Sequence, residues 1–556
     1  MYAVSDVDIT QNSSYNERKE FLQRCPMTEK YKSFSDLIFY QIYPRSFYDS
    51  DNDGTGDLRG IKEKIPYLVD LGINAVWLCP HYQSPNNDGG YDISDYRAVQ
   101  KEFGTMEDFK EMLSEFHKNG IKVIVDFVPN HTSTEHFWFK EARSSRTSPY
   151  RDFYFWADEP LNDWQACCES AWKYDEAAGQ YYLHCFDPTQ ADLNWENPRV
   201  REEMKAVVDF WTELGVDGFR CDVIDMISKD WENNRVNKGP HLHEYINEIF
   251  GRDNTAHLFT VGECWGANVE NIKNLTGEDR GELSTVFQFE HININCNGRF
   301  EPKEFSLSSF GKIFSKWQNI AQENDLLYTL FIENHDQGRC VSRFADDRGL
   351  RYESATMFAT MLYAMRGIPF IYQGQELGVT NSRFDKIEDF DDMETTAYYR
   401  AYKDTLSEKE LFDRLNFGSR DNARHPMPWN ASVNGGFNNG AKTWLPLYPD
   451  YKQINAEAEE AREKSVLRYF KKLLALRKES EVLRRGTFRD LTGEAENYFM
   501  YEREHEGKKM LVVCNFEKES DIAIPENARR ILGNYPEHKD GIFAPYEAAI
   551  YVMEHS

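Results

Sequence analysis

The chain has 556 residues, 40% of them hydrophobic and 28% charged, an ordinary globular balance spread over more length than one core fills. Its 93 Asp and Glu against 65 Lys and Arg leave a net charge of −28 at pH 7. That acidity argues against a nucleic-acid partner, which needs a basic stripe, and against docking on anionic lipid.

The first strand expected is "IFYQIYP" at 38–44, and the next, "NAVWLCP" at 74–80, follows a helical stretch that ends at Gly72. A helix then opens on Thr105-x-x-Asp108, carries Phe109, Met112, Leu113 and Phe116 on one face, and stops at Gly120. "IKVIVDF" (121–127) is a continuous apolar run, as in a strand buried on both faces. A second clear helix runs through Val200, Met204, Val207, Val208, Trp211 and Leu214 to Gly215. Strands are expected at 216–224, 258–263, 285–291, 326–333 and 368–374, with helical segments between them and a last helix at about 464–480. Eight strand–helix units in succession predict an α/β fold, a closed (β/α)8 TIM barrel.

Two insertions break the alternation. Residues 131–186, rich in aromatics and turns, predict a loop-rich inserted domain after strand 3, and a second insertion spans about 376–460. Beyond 484 the period changes to two, which predicts a C-terminal antiparallel β domain over 484–556. The barrel is thus expected as 1–130 and 187–483. The ten cysteines have no zinc-type spacing, and most that lie in strand-like runs (Cys79, Cys221, Cys514) suit reduced core thiols. The first 24 residues lack an apolar leader core, and no long apolar run occurs, so a cytoplasmic monomer without membrane contact is expected.

Chemistry in such a barrel sits at the C-terminal strand ends. There the chain carries "GGYDISDY" with Asp92, "VDFVPNHTS" with Asn130 and His131, "GFRCDVIDM" with Arg220 and Asp222, "TVGECWG" with Glu263, and "FIENHDQGR" with His335 and Asp336. A strand's period of two puts Arg220 and Asp222 on one face. Each motif alone is weak; five in order at strand ends are not.

The ordered set "DFVPNH", "GFRCD", "VGE" and "ENHD" resembles the four signature regions of the α-amylase superfamily, glycoside hydrolase family 13, over essentially the whole chain. Within it, "QADLNWENP", "VFQFEH", "IYQGQELGVTN" and "SRDNARHPMPW" are similar to the oligo-1,6-glucosidase and dextran glucosidase group. Ala191, Glu333 and Gly338 depart from that group's usual Pro, Asn and Pro.

The resemblance implies a retaining exo-α-glucosidase acting on isomalto-oligosaccharides. Asp222 would be the nucleophile, Glu263 the acid and base, and Asp336 the third carboxylate. Arg220 would keep Asp222 ionised, His131 and His335 would bond sugar hydroxyls, and Asp92 with Arg424 would grip the terminal glucose. Val223 matches members that prefer α-1,6 bonds, and Trp265 resembles a residue that stacks on the next sugar. The resemblance also implies structural calcium at "DSDNDGTGD", with Asp49, Asp51, Asp53, Asp57 and the Thr55 carbonyl as oxygen ligands. Gly60, where an EF-hand has its closing Glu, argues against a calcium switch. Rival readings are an α-1,4-preferring glucosidase, a sucrose isomerase, which typically carries an RLDRD-like segment where this chain has "HININCNGRFEP", and a non-catalytic barrel used as a binding partner.

Overall fold

The computed structural model describes residues 29–277, 280–537 and 541–554; the N-terminal stretch read above for a leader lies outside them. Eight parallel strands form the barrel: β1 (Phe39–Ile42), β2 (Ala75–Leu78), β3 (Lys122–Phe127), β4 (Gly218–Cys221), β5 (Phe259–Glu263), β6 (Thr285–Phe287), β7 (Thr329–Leu330) and β8 (Ile368–Tyr372). Hydrogen-bonded ladders run continuously in the order β6-β5-β4-β3-β2-β1-β8-β7. The seam between β6 and β7 is bridged by side chains instead. The Thr285 hydroxyl donates to the Leu327 carbonyl at 2.9 Å, and the Thr329 hydroxyl to the Val286 carbonyl at 3.1 Å.

Alternation along each strand sorts residues into two cores. Tyr40, Ile42, Val76, Leu78, Val123, Val125, Phe219 and Cys221 pack outward with the helices. Phe39, Ala75, Trp77, Ile124, Phe259, Val261, Phe287 and Phe370 pack together inside the barrel. There Phe39 lies flat on Phe370, ring centroids 4.5 Å apart, and Phe259 and Phe287 close the layer. Such a layer fills the barrel floor, so it is a packed core and not a pore. One or two steps of two further along, the same inward rows become polar: Gln41, Asp126, Arg220, Asp222 and Glu263. Gly218 permits this crowding, because a Cβ there would lie 1.8 Å from the Phe259 carbonyl oxygen.

The helix cues behave as their chemistry requires. Thr105 and Asp108 form a reciprocal capping box on helix Met106–Lys118, while Gly72 and Gly215 take left-handed conformations at helix ends. Three expectations are corrected, and the first is strand 6, which stops at Phe287 rather than 291. Strand 4 ends at Cys221 rather than 224, because Val223 turns left-handed and a 3-10 turn, Ile224–Met226, follows. Strand 7 shrinks from 326–333 to Thr329–Leu330: that apolar run is buried throughout, but burial does not supply a ladder partner on the β6 side.

Within the insertion after β3, strand His131–Ser133 pairs with Gln190–Asp192, and Trp164, Trp172 and Leu183 make a separate small core. The insertion after β8 carries helices Met393–Tyr402 and Glu408–Gly418 over a core of Phe300, Phe384, Phe390, Tyr398, Leu411 and Leu415. At the C-terminus a five-stranded antiparallel sheet runs in the order Thr487–Asp490, Tyr498–His505, Lys508–Asn515, Ala548–Met553, Ala528–Gly533. No helix among the described residues is long and apolar enough to cross a membrane.

Candidate active site

The inward polar rows converge on the Arg220 guanidinium. Its Nη1 donates to Asp222 Oδ1 at 2.6 Å and to Asp126 Oδ1 at 2.8 Å, while Nη2 donates to Glu263 Oε2. One planar cation therefore holds Asp222 and Glu263 side by side at the barrel mouth, as a bidentate fork does. Both are nearly buried, at 6% and 5% exposed. Burial raises the Glu263 carboxyl to about 7, Arg220 opposing and Asp222 and Asp336 adding to the rise. Burial likewise raises Asp222 to about 6, against the pull of Arg220. Desolvation thus wins over the cation at both groups.

Val223, next in the chain, sits at φ +33° and ψ +45°. A β-branched residue there is strained, and such strain is found where a site fixes geometry. The turn brings the Val223 amide to 3.4 Å from Glu263 Oε2. On the other side the Trp265 indole N–H donates to Glu263 Oε1 at 2.8 Å.

Asp336 closes the third side. Arg424 Nη2 pairs with its Oδ1 at 2.8 Å, His335 Nε2 lies 3.1 Å from its Oδ2, and Arg420 approaches to 3.6 Å. Burial would raise this carboxyl, but His335, Arg424 and Arg420 outweigh it and hold it well below the usual carboxylate range. His335 is fixed in turn by Gln41, whose amide nitrogen lies 2.8 Å from Nδ1, and by near-parallel stacking on Tyr91. His131 contacts the amides of Gln190 at 3.2 Å and Asn130 at 3.3 Å, and burial lowers its pKa.

The structure therefore gathers Asp222, Glu263, Asp336, Arg220, His335, Arg424, Val223 and Trp265, with His131 adjoining through Gln190. It does not bring Asp92 to Arg424. Asp92 is fully buried behind the loop, where Ser84 Oγ and the amides of Asn87 and Asp88 occupy its oxygens. Asp88 takes the place expected for it. Its carboxylate accepts from Arg420 at 2.8 Å and from Gln190 at 3.0 Å, beside Asp336 and His131. A signal was present in "NNDGGYDI": Gly89 and Gly90 both have positive φ, so the loop turns towards the pocket at 88–90. A Cβ on Gly89 would meet the Tyr43 hydroxyl at 2.6 Å and Arg424 Nη1 at 3.1 Å. Arg420 and Asp126 were also missed. Glu333 is buried and paired with Arg339 at 3.0 Å.

In the loop after β1, Asp49, Asp51 and Asp57 each offer an oxygen within 4.8 Å of the others. Those three fit a hard cation, which takes carboxylate oxygens. Asp53 stands apart from the trio, its Oδ1 accepting from the Thr55 amide at 2.8 Å. The loop packs on the insertion after β8: Asn438 Nδ2 donates to Asp49 Oδ2 at 2.9 Å, and the Trp444 amide to the Gly54 carbonyl at 3.1 Å.

Paired carboxyls beside a third, all at the C-terminal strand ends of a (β/α)8 barrel, are the equipment of a glycoside hydrolase. Comparison with known proteins agrees. Residues 41–486 match the family described as "Alpha amylase, catalytic domain", and the chain belongs to that family. It is 43% identical to the oligo-1,6-glucosidase of Parageobacillus thermoglucosidasius, over 93% of this chain and 98% of that one. It is 42% identical to the glucan 1,6-alpha-glucosidase of Streptococcus pneumoniae, over 94% and 99%. The trehalose-6-phosphate hydrolase of Bacillus licheniformis superposes with a TM-score of 0.87 at 39% identity, covering 93% of this chain and 99% of that one.

Proposed function

We propose that this glycoside hydrolase removes α-1,6-linked glucose from the non-reducing end of isomalto-oligosaccharides, with retention of configuration. The observation that carries the chemistry is the single guanidinium of Arg220 joining Asp222 to Glu263. A shared planar partner holds the two carboxyls side by side, which supports the close spacing that a double displacement uses. Asp222, the more acidic of the pair, attacks the anomeric carbon as Glu263 gives its proton to the departing oxygen. Glu263 then takes a proton from water, which attacks the glucosyl ester and frees Asp222. Asp336, held ionised by its cations, bonds ring hydroxyls and stabilises the oxocarbenium-like centre. His131, His335 and Arg220 frame the same sugar.

The exo mode is supported by the ion pairs Arg424–Asp336 and Arg420–Asp88, which would wall off one end of the site. Asp88 takes over the gripping role first assigned to Asp92. Asp88→Ala is expected to raise KM for isomaltose about tenfold or more, since it leaves Arg420 short of a buried partner and the sugar short of an acceptor. Asp92→Asn should move KM far less, and steady-state kinetics on both variants compares them. Val223 beside the acid supports α-1,6 preference, and the open face of Trp265 suits a second sugar. Side-by-side product analysis with isomaltose, isomaltotriose, dextran, maltose and sucrose tests the function. Faster cleavage of maltose than of isomaltose overturns the linkage preference, and isomerised sucrose as main product overturns hydrolysis.

Asp49, Asp51 and Asp57 would hold a structural calcium ion, completed by the Thr55 carbonyl and by Asp53 after a local turn. Burial raises the pKa of Asp57, as does Asp51 beside it, so the loop carries charge that a cation would relieve. Chelation is expected to lower Tm by several degrees and added calcium to restore it, with Asp49→Asn abolishing the difference. Scanning calorimetry and elemental analysis check this. The protein would act in the cytoplasm as a single chain, with an oligosaccharide as its ligand and neither nucleic acid nor membrane as partner.

A further inference from the structure

Trp265 is held in a way that stacking on sugar does not require. Its indole lies flat on Phe289, with centroids 4.0 Å apart and planes 10° from parallel. Phe289 is itself buried against Phe331, so the platform cannot swing. With 41% of the residue exposed, the opposite ring face is open, yet the N–H points inward at 2.8 Å from Glu263 Oε1. The other oxygen, Oε2, is taken by Arg220 and by the Val223 amide. The two ends of the carboxyl thus have different keepers: Oε2 is tied to the nucleophile's side through Arg220, and Oε1 to the aglycone side through Trp265.

We propose that Trp265 is a positioning residue for the proton-donating carboxyl, its indole N–H fixing Glu263 Oε1 on the aglycone side while Phe289 locks the ring. This inference rests on Glu263 being the acid. Two functions meet in one side chain: the edge aims the acid, and the free face is left for the leaving sugar. A leaving sugar on that face would lie next to the oxygen that must deliver its proton, so binding and protonation share one register.

The other groups facing Glu263 are Arg220 from β4, Asp222 just after it, Asp225 from the turn that follows, Asp126 from β3, Cys264 after β5, and His335 and Asp336 after β7. Trp265→Phe leaves all of these in place and keeps an aromatic ring on Phe289, while it removes the N–H donor together with the second ring of the indole. The donor favours the ionised carboxyl, so its loss is expected to move the basic limb of kcat/KM upward by about one pH unit. With the acid no longer aimed, kcat on isomaltose should fall about tenfold, beyond any rise in KM that the smaller ring causes. On 2,4-dinitrophenyl α-glucoside, whose leaving group needs no proton, the rate should fall less than about twofold. Phe289→Leu, which frees the indole without touching the site, should shift the limb in the same direction by a smaller amount. Raised KM with an unmoved basic limb in Trp265→Phe overturns the proposal and leaves the indole a sugar platform only. Glu263→Gln measured alongside separates the causes: lost isomaltose turnover there, with no limb shift in Trp265→Phe, overturns the positioning role alone. Retained turnover in Glu263→Gln overturns the acid assignment and the positioning role with it.

Discussion

Asp222→Ala is expected to lose about 10⁴-fold or more of kcat on isomaltose, because no other group can form the glucosyl ester and the two half-reactions depend on it alike. The fold should survive. Arg220 keeps Asp126 and Glu263 as partners, so no buried cation is stranded. Near-UV circular dichroism and Tm check folding, while stopped assays on isomaltose check turnover. Azide offers a sharper reading, since a small anion can enter the space left by the carboxylate and attack the sugar from that face. Glucosyl azide of inverted configuration would place Asp222 opposite the leaving group. Residual turnover above about 1% of wild type in Asp222→Ala would mean that another group supplies the nucleophile.

The second large effect is on pH dependence. Activity needs Asp222 ionised and Glu263 protonated, so the active form lies between the two ionisations. Protonating Asp222 removes it as pH falls through about 6, and ionising Glu263 removes it as pH rises through about 7. A narrow bell in kcat/KM follows, its limbs belonging to the coupled pair rather than to either residue alone. Glu263→Gln is expected to erase the basic limb and lower kcat/KM on isomaltose by about 10²- to 10⁴-fold. A pH–rate series on wild type and variant decides it. A basic limb that persists in Glu263→Gln would assign it to another group.

Period-two alternation makes part of the site legible in the chain. Arg220 and Asp222 are two residues apart, and they do face the same interior, as Phe259, Val261 and Glu263 do. Other features depend on tertiary detail that no local pattern records. Asp88 and Asp92 lie in one loop and are chemically identical; which one meets the arginines is decided by where the two glycines turn the backbone. Val223 is chemically a strand residue, yet it takes a left-handed conformation, and so the fourth strand stops early. Arg420 was recoverable in principle. It stands four residues before Arg424 at the start of the short helix Asp421–Arg424, a spacing that brings side chains to one face.

The aromatic layer under the site has a kinetic consequence. With Phe39, Phe259, Phe287 and Phe370 sealing the barrel below, a hydrolysed glucose has no rear exit. It leaves only by the mouth through which the oligosaccharide entered, after the shortened remainder has diffused away. Each encounter would then trim a single unit, and intermediate lengths would accumulate in solution instead of one polymer being consumed end to end.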